Sequence, residues 1–473
     1  MNSNVQMYKS IFLFFLIVMF SQACSTPENK NIRPNILFIA IDDLRPELGC
    51  YGEEHVSSPH IDQLAEQSLL FNRAYCQQAV CNPSRASIMS GLYPHQSGIT
   101  DNDKNLRQEN PNVVTLSQHF KNNGYYAYGV GKIYHYPHQY DSLSWTEPQP
   151  YLEGNWWNSY VTEPNRTYKT NTINEACDTA DLAYFDGRTA QMAIEKLAQL
   201  QDSAFFLAVG FFKPHLPFVA PARYWQSDPS KLPLPQVTQH PEDAPAYAFL
   251  DSKKKIRKHS DVPDQGVFTD SMVQSYRHGY YSCINFIDAQ VGKIIKALDS
   301  LSLRENTIVV VWGDHGFKLG EYNEWSKSTN YEIDTRVPLL VSVPGSNSNG
   351  QTTDQLTELV DLYPSLCDLA GIPIPQHLPG RSFKQLFQNN QAEEEYAVSM
   401  FPRGDSLMGY TIRSDRYRLV RWQSVHTNEV DSYELYDHQN DGLETVNVAG
   451  RNGYQAIISS LDQQLENRLK SEN

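Results

Sequence analysis

The stretch "NILFIAIDD", Asn35 to Asp43, runs through seven uncharged, mostly apolar residues and then stops on two aspartates. An uninterrupted run of this kind suits a strand covered on both faces, as in a parallel sheet. "FFLAVGF" (Phe205 to Phe211) and "TIVVVWG" (Thr307 to Gly313) read the same way, and the second ends on Asp314 and His315. Helical stretches lie between these runs. "SPHIDQLAEQSLLF" has Ser58 as N-cap and Pro59 at its first helical position, and "TLSQHFKNNG" stops at Gly124. In residues 271–301, Ile284, Ile287, Val291, Ile294 and Leu298 recur at helical spacing. The alternation predicts α/β layers around a mostly parallel sheet, with no internal repeat.

The chain of 473 residues can hold a large core and two domains. Hydrophobic content of 40% and aromatic content of 12% suit a globular protein. The net charge of −15 excludes the basic footprint of a nucleic-acid binder. It leaves room for a locally positive site facing an anionic substrate. At the N-terminus, Lys9 precedes "IFLFFLIVMF" and "SQAC". A short basic region, an apolar run and a small-residue site describe a secretory signal. The run is too short to span a bilayer, which takes roughly 20 residues. Cleavage before Cys24 predicts an exported bacterial lipoprotein, held in the periplasm or at the outer membrane through a lipid on Cys24. Residues 1–23 are then the signal peptide and 24–33 a flexible tether. Ordinary secretion with a bare Cys24 is the alternative.

Cys50, Cys76, Cys81, Cys177, Cys283 and Cys367 show no zinc-type or CxxC spacing. Apart from Cys81 they read as small buried hydrophobes. Residues 134–178 and 226–270 are irregular, as lids and binding loops are. Beyond about residue 390, "AVSMFP", "YTIRSDRYRLVRW" and "YELYD" read as strands, and "YQAIISSLDQQLENRL" as a closing helix. The expected division is a catalytic α/β domain over 34–390 and a smaller α+β subdomain over 391–473.

Asp42–Asp43 and Asp314–His315 both follow buried strands, where open α/β sheets place their ligands. Three carboxylates and an imidazole converging there make a hard site for a divalent cation such as calcium. Taken singly, each pair reads as a cap on the turn that follows. In "AVCNPSRASIMSG" (Ala79 to Gly91), Pro83 suits a helix N1 position and Gly91 the residue past its end. The start of that helix is an anion site, reinforced by Arg85 one turn in. From the residues alone Cys81 is a low-pKa thiolate. "GVGK" at Gly129 to Lys132 lacks the residues of a phosphate-binding loop.

"CNPSR" followed by "SG" resembles the type I sulfatase signature, whose cysteine is oxidised to formylglycine. "IDDLRPELGCYG", "GKIYH", "FFLAVGFFKPHLPF", "DHGFKLGE", "EWSK", "RVPLL" and "ELYDHQND" are similar to the iduronate-2-sulfatase-like branch of that family. The resemblance implies an alkaline-phosphatase-like fold, with a large mixed sheet flanked by helices and a C-terminal antiparallel sheet. It implies one calcium ion held by Asp42, Asp43, Asp314, His315 and the modified residue 81. Formylglycine 81, made by a formylglycine-generating enzyme, would attack the sulfate sulfur as its hydrate, with Arg85 favouring the ionised oxygen. Lys132 and Lys327 would bind sulfate oxygens. His215 would protonate the departing sugar oxygen, and His135, with His138 as rival, would take the proton that releases sulfate. The substrate implied is a 2-O-sulfated terminal uronate of a glycosaminoglycan fragment, from heparan sulfate, heparin, chondroitin sulfate or dermatan sulfate, its carboxylate met by Lys327 or Arg403; where polysaccharide lyases generate the fragments, that sugar is a Δ4,5-unsaturated uronate. Phe317 stands where that branch carries Trp, which implies an altered substrate fit. A sulfatase acting on another sulfated glycan position, a phosphatase or phosphodiesterase on the same architecture, and a non-catalytic carbohydrate-binding lipoprotein with an unmodified Cys81 are the alternatives compatible with the residues.

Overall fold

The structure, a computed structural model, describes residues 33–135, 139–150, 159–166, 171–249, 252–389 and 396–470. The export signal, Cys24 and His138 lie outside them. The larger layer is built from β1 (Asn35–Ile41), α1 (Pro59–Ala65), β2 (Leu69–Tyr75), α2 (Cys81–Ser90), α3 (Leu116–Asn122), β3 (Tyr126–Gly131), α4 (Phe185–Gln199), β4 (Phe205–Phe211), α5 (Asp270–Ser300), β5 (Thr307–Gly313), β6 (Arg336–Ser342) and α6 (Leu362–Leu369). The sheet order is β3-β4-β1-β5-β6-β2, with Thr352–Thr353 beyond β2.

β1 pairs in parallel with β4 and β5, and β3 with β4. β6 runs antiparallel to both β5 and β2, so the sheet is mixed rather than uniformly parallel. β1 shows why both faces are apolar. Leu37, Ile39 and Ile41 pack toward Ile284, Ile287 and Val291 of α5 on one side. Ile36, Phe38 and Ala40 pack toward Ile88 and Met89 of α2 and Leu366 of α6 on the other. A strand covered on both sides needs no polar alternation.

Three expectations are corrected. "SPHIDQLAEQSLLF" is not one helix: α1 ends at Ala65, and Leu69 opens β2. The Ser58 side chain does not cap α1 but donates to Asp62 Oδ1 at 3.0 Å. Asp288 of α5 accepts from the N–H groups of Ile61 (2.7 Å) and His60 (3.2 Å) instead. Helix α2 begins at Cys81, two residues before Pro83, so Cys81 lies in its first turn. It closes as expected on Gly91, at φ +71°, where a Cβ would also meet Leu378 Cδ2 at 2.4 Å.

The second layer is an antiparallel meander of β7 (Ala397–Arg403), β8 (Leu407–Arg413), β9 (Tyr417–Ser424) and β10 (Val430–Asp437), backed by α7 (Gln455–Lys470). "YTIRSDRYRLVRW" therefore holds two strands and a turn. Leu461 and Leu465 of α7 pack with Val398, Ile412, Leu419 and Leu435. The meander is tied to the larger layer by Met400 N–H to Gln77 O (2.8 Å) and by Arg418, which pairs with Glu332 and Glu444. Among the described residues no helix is long and apolar enough to cross a membrane.

Candidate active site

β1 and β5 are neighbours in register, Ile41 against Gly313, so the residues that follow them meet. The backbone N–H of Asp43 donates to Asp314 Oδ1 at 3.0 Å. Asp43 sits at φ 58°, a left-handed conformation that aspartate tolerates better than most residues. Tyr280 of α5 donates to the Asp43 carbonyl at 2.8 Å and fixes that turn from below. Asp42, Asp43, Asp314 and His315 are all buried.

The first turn of α2 faces these pairs. Cys81 Sγ lies 3.3 Å from His315 Nε2 and 3.6 Å from Lys327 Nζ. Burial and Asp42 act to raise the thiol pKa, but Lys132 and Lys327 outweigh them and hold it below the usual cysteine value. Lys132 follows β3 and pairs with Asp42, and Lys327 Nζ donates to Asp43 Oδ1 at 2.5 Å. The chain can place Lys132 there because it crosses β4 at Gly210, where a Cβ would stand 2.0 Å from the Lys132 carbonyl oxygen.

Arg85 is fully buried. Its Nε donates to Asp314 Oδ2 at 2.8 Å, and Nη1 donates to the carbonyls of Lys132 and Ile133. Its guanidinium lies over the Trp312 ring, 5.7 Å from the centroid. These bonds make it a strut between α2, β5 and the Lys132 turn.

His215 rides the loop after β4. Asp186 of α4 accepts from the N–H groups of Phe212 (2.8 Å) and Lys213 (2.9 Å), and Lys213 Nζ donates to the carbonyls of His215 and Pro217, each at 2.7 Å. His215 Nδ1 bonds Leu216 O at 2.6 Å, which leaves Nε2 toward Asp43 Oδ2, 4.0 Å away. Burial, with Lys327 and Lys132 nearby, holds the ring well below its ordinary pKa. An anion beside the ring would favour its protonated form. His135 follows Lys132 in the next turn, and burial and Lys132 push its pKa down to about 3. It is therefore neutral at pH 7 and able to accept a proton.

Three acids in so small a volume need positive charge. Asp42 Oδ1 and Asp43 Oδ2 are buried with no hydrogen-bond partner, a costly arrangement unless a ligand satisfies them. One donor atom each of Asp42, Cys81, Asp314 and His315 lies within 4.8 Å of the others, and Asp42, Asp43, Cys81 and His215 form an overlapping set. The three carboxylates with the His315 imidazole fit one hard divalent cation, the Cys81 thiol being the soft donor of the group.

Two expected substrate contacts are corrected. Phe317 is fully buried in the core, stacked on Tyr280 with centroids 5.6 Å apart. Lys327 Nζ lies 5.9 Å from its ring centroid, so Phe317 forms the floor beneath Lys327 and cannot touch a sugar. Arg403 is buried in the second layer. Its Nε donates to Tyr247 O (2.6 Å) and Nη2 to Ala248 O (2.5 Å), so the fork is spent on the backbone of residues 247–248. Conversely, Asn102, Asn171, Lys255, Lys258 and His259 line the cleft beside Cys81, Lys327 and His215 and were not anticipated. The basic run "KKKIRK" (Lys253 to Lys258), in an acidic chain, was the signal for the lysines.

Residues 34–372 match the family model described as Sulfatase, and residues 320–471 match one described as N-sulphoglucosamine sulphohydrolase, C-terminal. The chain is 32% identical to iduronate 2-sulfatase of Mus musculus, over 90% of this chain and 93% of that protein. It is 31% identical to iduronate 2-sulfatase of Homo sapiens, over 88% and 90%. In solved structures the fold recurs in a phosphonate monoester hydrolase from Silicibacter pomeroyi, with TM-score 0.76 and 24% identity, covering 93% of this chain and 96% of that one. It recurs also in a 2-O GAG sulfatase, with TM-score 0.71 and 24% identity, covering 93% and 92%. The mixed sheet with its C-terminal antiparallel layer is thus the alkaline-phosphatase-like fold of these proteins.

Proposed function

The chain belongs to the sulfatase family, on its iduronate-2-sulfatase-like branch, and from that premise we propose that it is an exo-acting sulfatase cleaving the 2-O-sulfate of a terminal, Δ4,5-unsaturated uronate in glycosaminoglycan oligosaccharides. The single observation carrying the reading is the cluster itself: Cys81 in the first turn of α2, between His315 and Lys327, above three buried acids. The choice of the uronate 2-O position draws its support from the two iduronate 2-sulfatases.

In this reading Cys81 is the precursor of formylglycine. Its hydrate would offer one oxygen for attack on sulfur and a second for release of sulfate. Asp42, Asp43, Asp314 and His315 would hold calcium, which supplies positive charge where negative charge develops on the ester. Lys132 and Lys327, placed by Asp42 and Asp43, bind sulfate oxygens and disperse that charge at the buried end of the cleft. His215, its ring oriented by the bond from Nδ1–H to Leu216 O, would take up a proton on Nε2 when the bound anionic sulfate favours the imidazolium, and would pass it to the departing sugar oxygen. His135, neutral through burial, accepts the proton that frees the sulfate. A lipid on Cys24 would keep the mature enzyme at the periplasmic or outer-membrane surface.

Two measurements test the proposal. Mass spectrometry of the Cys81 peptide from the native host should show formylglycine, and an intact thiol there removes the mechanism. Sulfate release is then measured on disaccharides sulfated at only one of the uronate 2-O, hexosamine 6-O, hexosamine 4-O or nitrogen positions. Release confined to the 2-O compounds supports the specificity; preference for a hexosamine sulfate overturns it.

A further inference from the structure

The cleft has a second wall that the sulfate chemistry does not use. It comes from Asn171 and from the short helical segment Ser252–Lys258, which contributes Lys255 and Lys258. The wall is braced. Ser260 donates through both N–H and Oγ–H to Asn171 O, each at 2.9 Å, and Ile173 N–H donates to Asp261 Oδ1 at 2.8 Å. Lys255 Nζ reaches across the cleft to Ser328 Oγ at 3.3 Å, beside Lys327.

Two features of this wall point to a ligand. Asn171 is 6% exposed, and its Oδ1 is buried without a hydrogen-bond partner. A buried carboxamide oxygen on a cleft wall calls for a donor. The second feature is charge. Among the described residues lining the cleft Asp43 is the sole acid, and it is paired with Lys327. Among the described residues, no acid of the cleft lining pairs with Lys255 or Lys258, so the two lysines present positive charge to the cleft of a chain whose net charge is −15.

We propose that Lys255 and Lys258 bind an anionic group of the substrate other than the sulfate ester being cleaved, and that Asn171 Oδ1 accepts a hydrogen bond from a sugar hydroxyl. The inference rests on the reading of this chain as a sulfatase of anionic sugars. The anion is the carboxylate of the sulfated uronate or a sulfate on the adjoining hexosamine, and both suit two ammonium groups on a cleft wall. In this proposal the wall supplies the positive charge that was expected from Lys327 or Arg403.

The test compares wild type, the double variant Lys255→Ala/Lys258→Ala and, as a control for general charge, Lys254→Ala, which is exposed and lies outside the cleft lining. Each is assayed on a 2-sulfated uronate disaccharide, on its carboxyl-reduced counterpart, and on both with and without hexosamine sulfate. Wild type should lose about tenfold to hundredfold in kcat/KM when the recognised anion is removed, the range for a charged hydrogen bond. The double variant should lose a similar factor on the anionic compound, chiefly in KM, and should no longer distinguish it from the neutral one. Discrimination lost with the carboxyl group identifies the carboxylate; discrimination lost with the hexosamine sulfate identifies the neighbouring ring. Asn171→Ala should raise KM without moving the thermal midpoint. Retained wild-type discrimination in the double variant, or an equal loss in Lys254→Ala, overturns the proposal. Calorimetric titration with the same disaccharides gives the comparison independently of turnover. A failure of the sulfatase reading, seen as no release from any sulfated sugar, is thereby distinguished from a failure of this wall.

Discussion

Arg85 tests whether the centre is held together by its charges or merely decorated with them. Its bonds run to Asp314 Oδ2 (2.8 Å), to Ile133 O (3.2 Å) and to Lys132 O, and Asp42 Oδ1 lies 3.7 Å from Nη2. Replacing it by methionine removes one partner of a fully buried ion pair and strands two buried carbonyls. Breaking such a pair costs about 3–5 kcal/mol. Arg85→Lys keeps a cation near Asp314 but cannot reach both carbonyls, so its cost reduces to about 1–3 kcal/mol for the groups left unsatisfied. The expected order of unfolding midpoints is wild type above Arg85→Lys above Arg85→Met, followed by circular dichroism in denaturant. Sulfate release should fall in the same order, because Lys132 loses the strut under its backbone. Arg85→Met unfolding at the wild-type midpoint while losing activity would refute the argument, since Arg85 would then act only on the reacting groups.

Three further outcomes follow from the same geometry. Asp314→Ala, or exhaustive chelation of the native enzyme, should abolish turnover, and added calcium should restore only the chelated sample; full activity after chelation removes the metal from the reading. Glu321 is half-buried between Arg45 and Arg277, and although desolvation opposes its charge the two guanidiniums pull its pKa down to about 2. Because the folded-state value lies below the usual 4.5, its stabilisation is complete above pH 4.5 and is lost as pH falls toward 2. Glu321→Gln should flatten the fall of the unfolding midpoint across that window, and an unaltered slope would disprove the pairing. Cys24→Ala should move the protein from the membrane to the soluble fraction of the native host, and a wild-type protein already soluble there overturns the lipid anchor.

The sequence by itself determined the strands at the centre of the sheet and the two acidic pairs at their ends. Residues 35–41, 205–211 and 307–313 are apolar on both sides because β1, β4 and β5 are covered on both faces, and that need is written locally. The start of α2 at Cys81 was legible to within two residues, and Gly91 closed the helix as read. The tertiary structure alone decided that β6 runs against its neighbours, because a short apolar strand reads the same in either direction. It also decided that residues 69–71 belong to β2 rather than to α1, since apolar spacing over three residues cannot separate helix from strand. The lysine–aspartate pairs that set up the centre join residues 90 and 284 positions apart, Lys132 with Asp42 and Lys327 with Asp43, so no local pattern could announce them. The same distance effect explains Phe317 and Arg403. Phe317 stands in the motif "DHGFKLGE" and Arg403 is a cation near the end of a strand, yet packing turned one into a floor for Lys327 and spent the other's donors on carbonyls of residues 247 and 248. Lys255 and Lys258 are the converse case: a basic run becomes a wall of the cleft only when the chain brings residues 252–260 against Asn171 and Ser328.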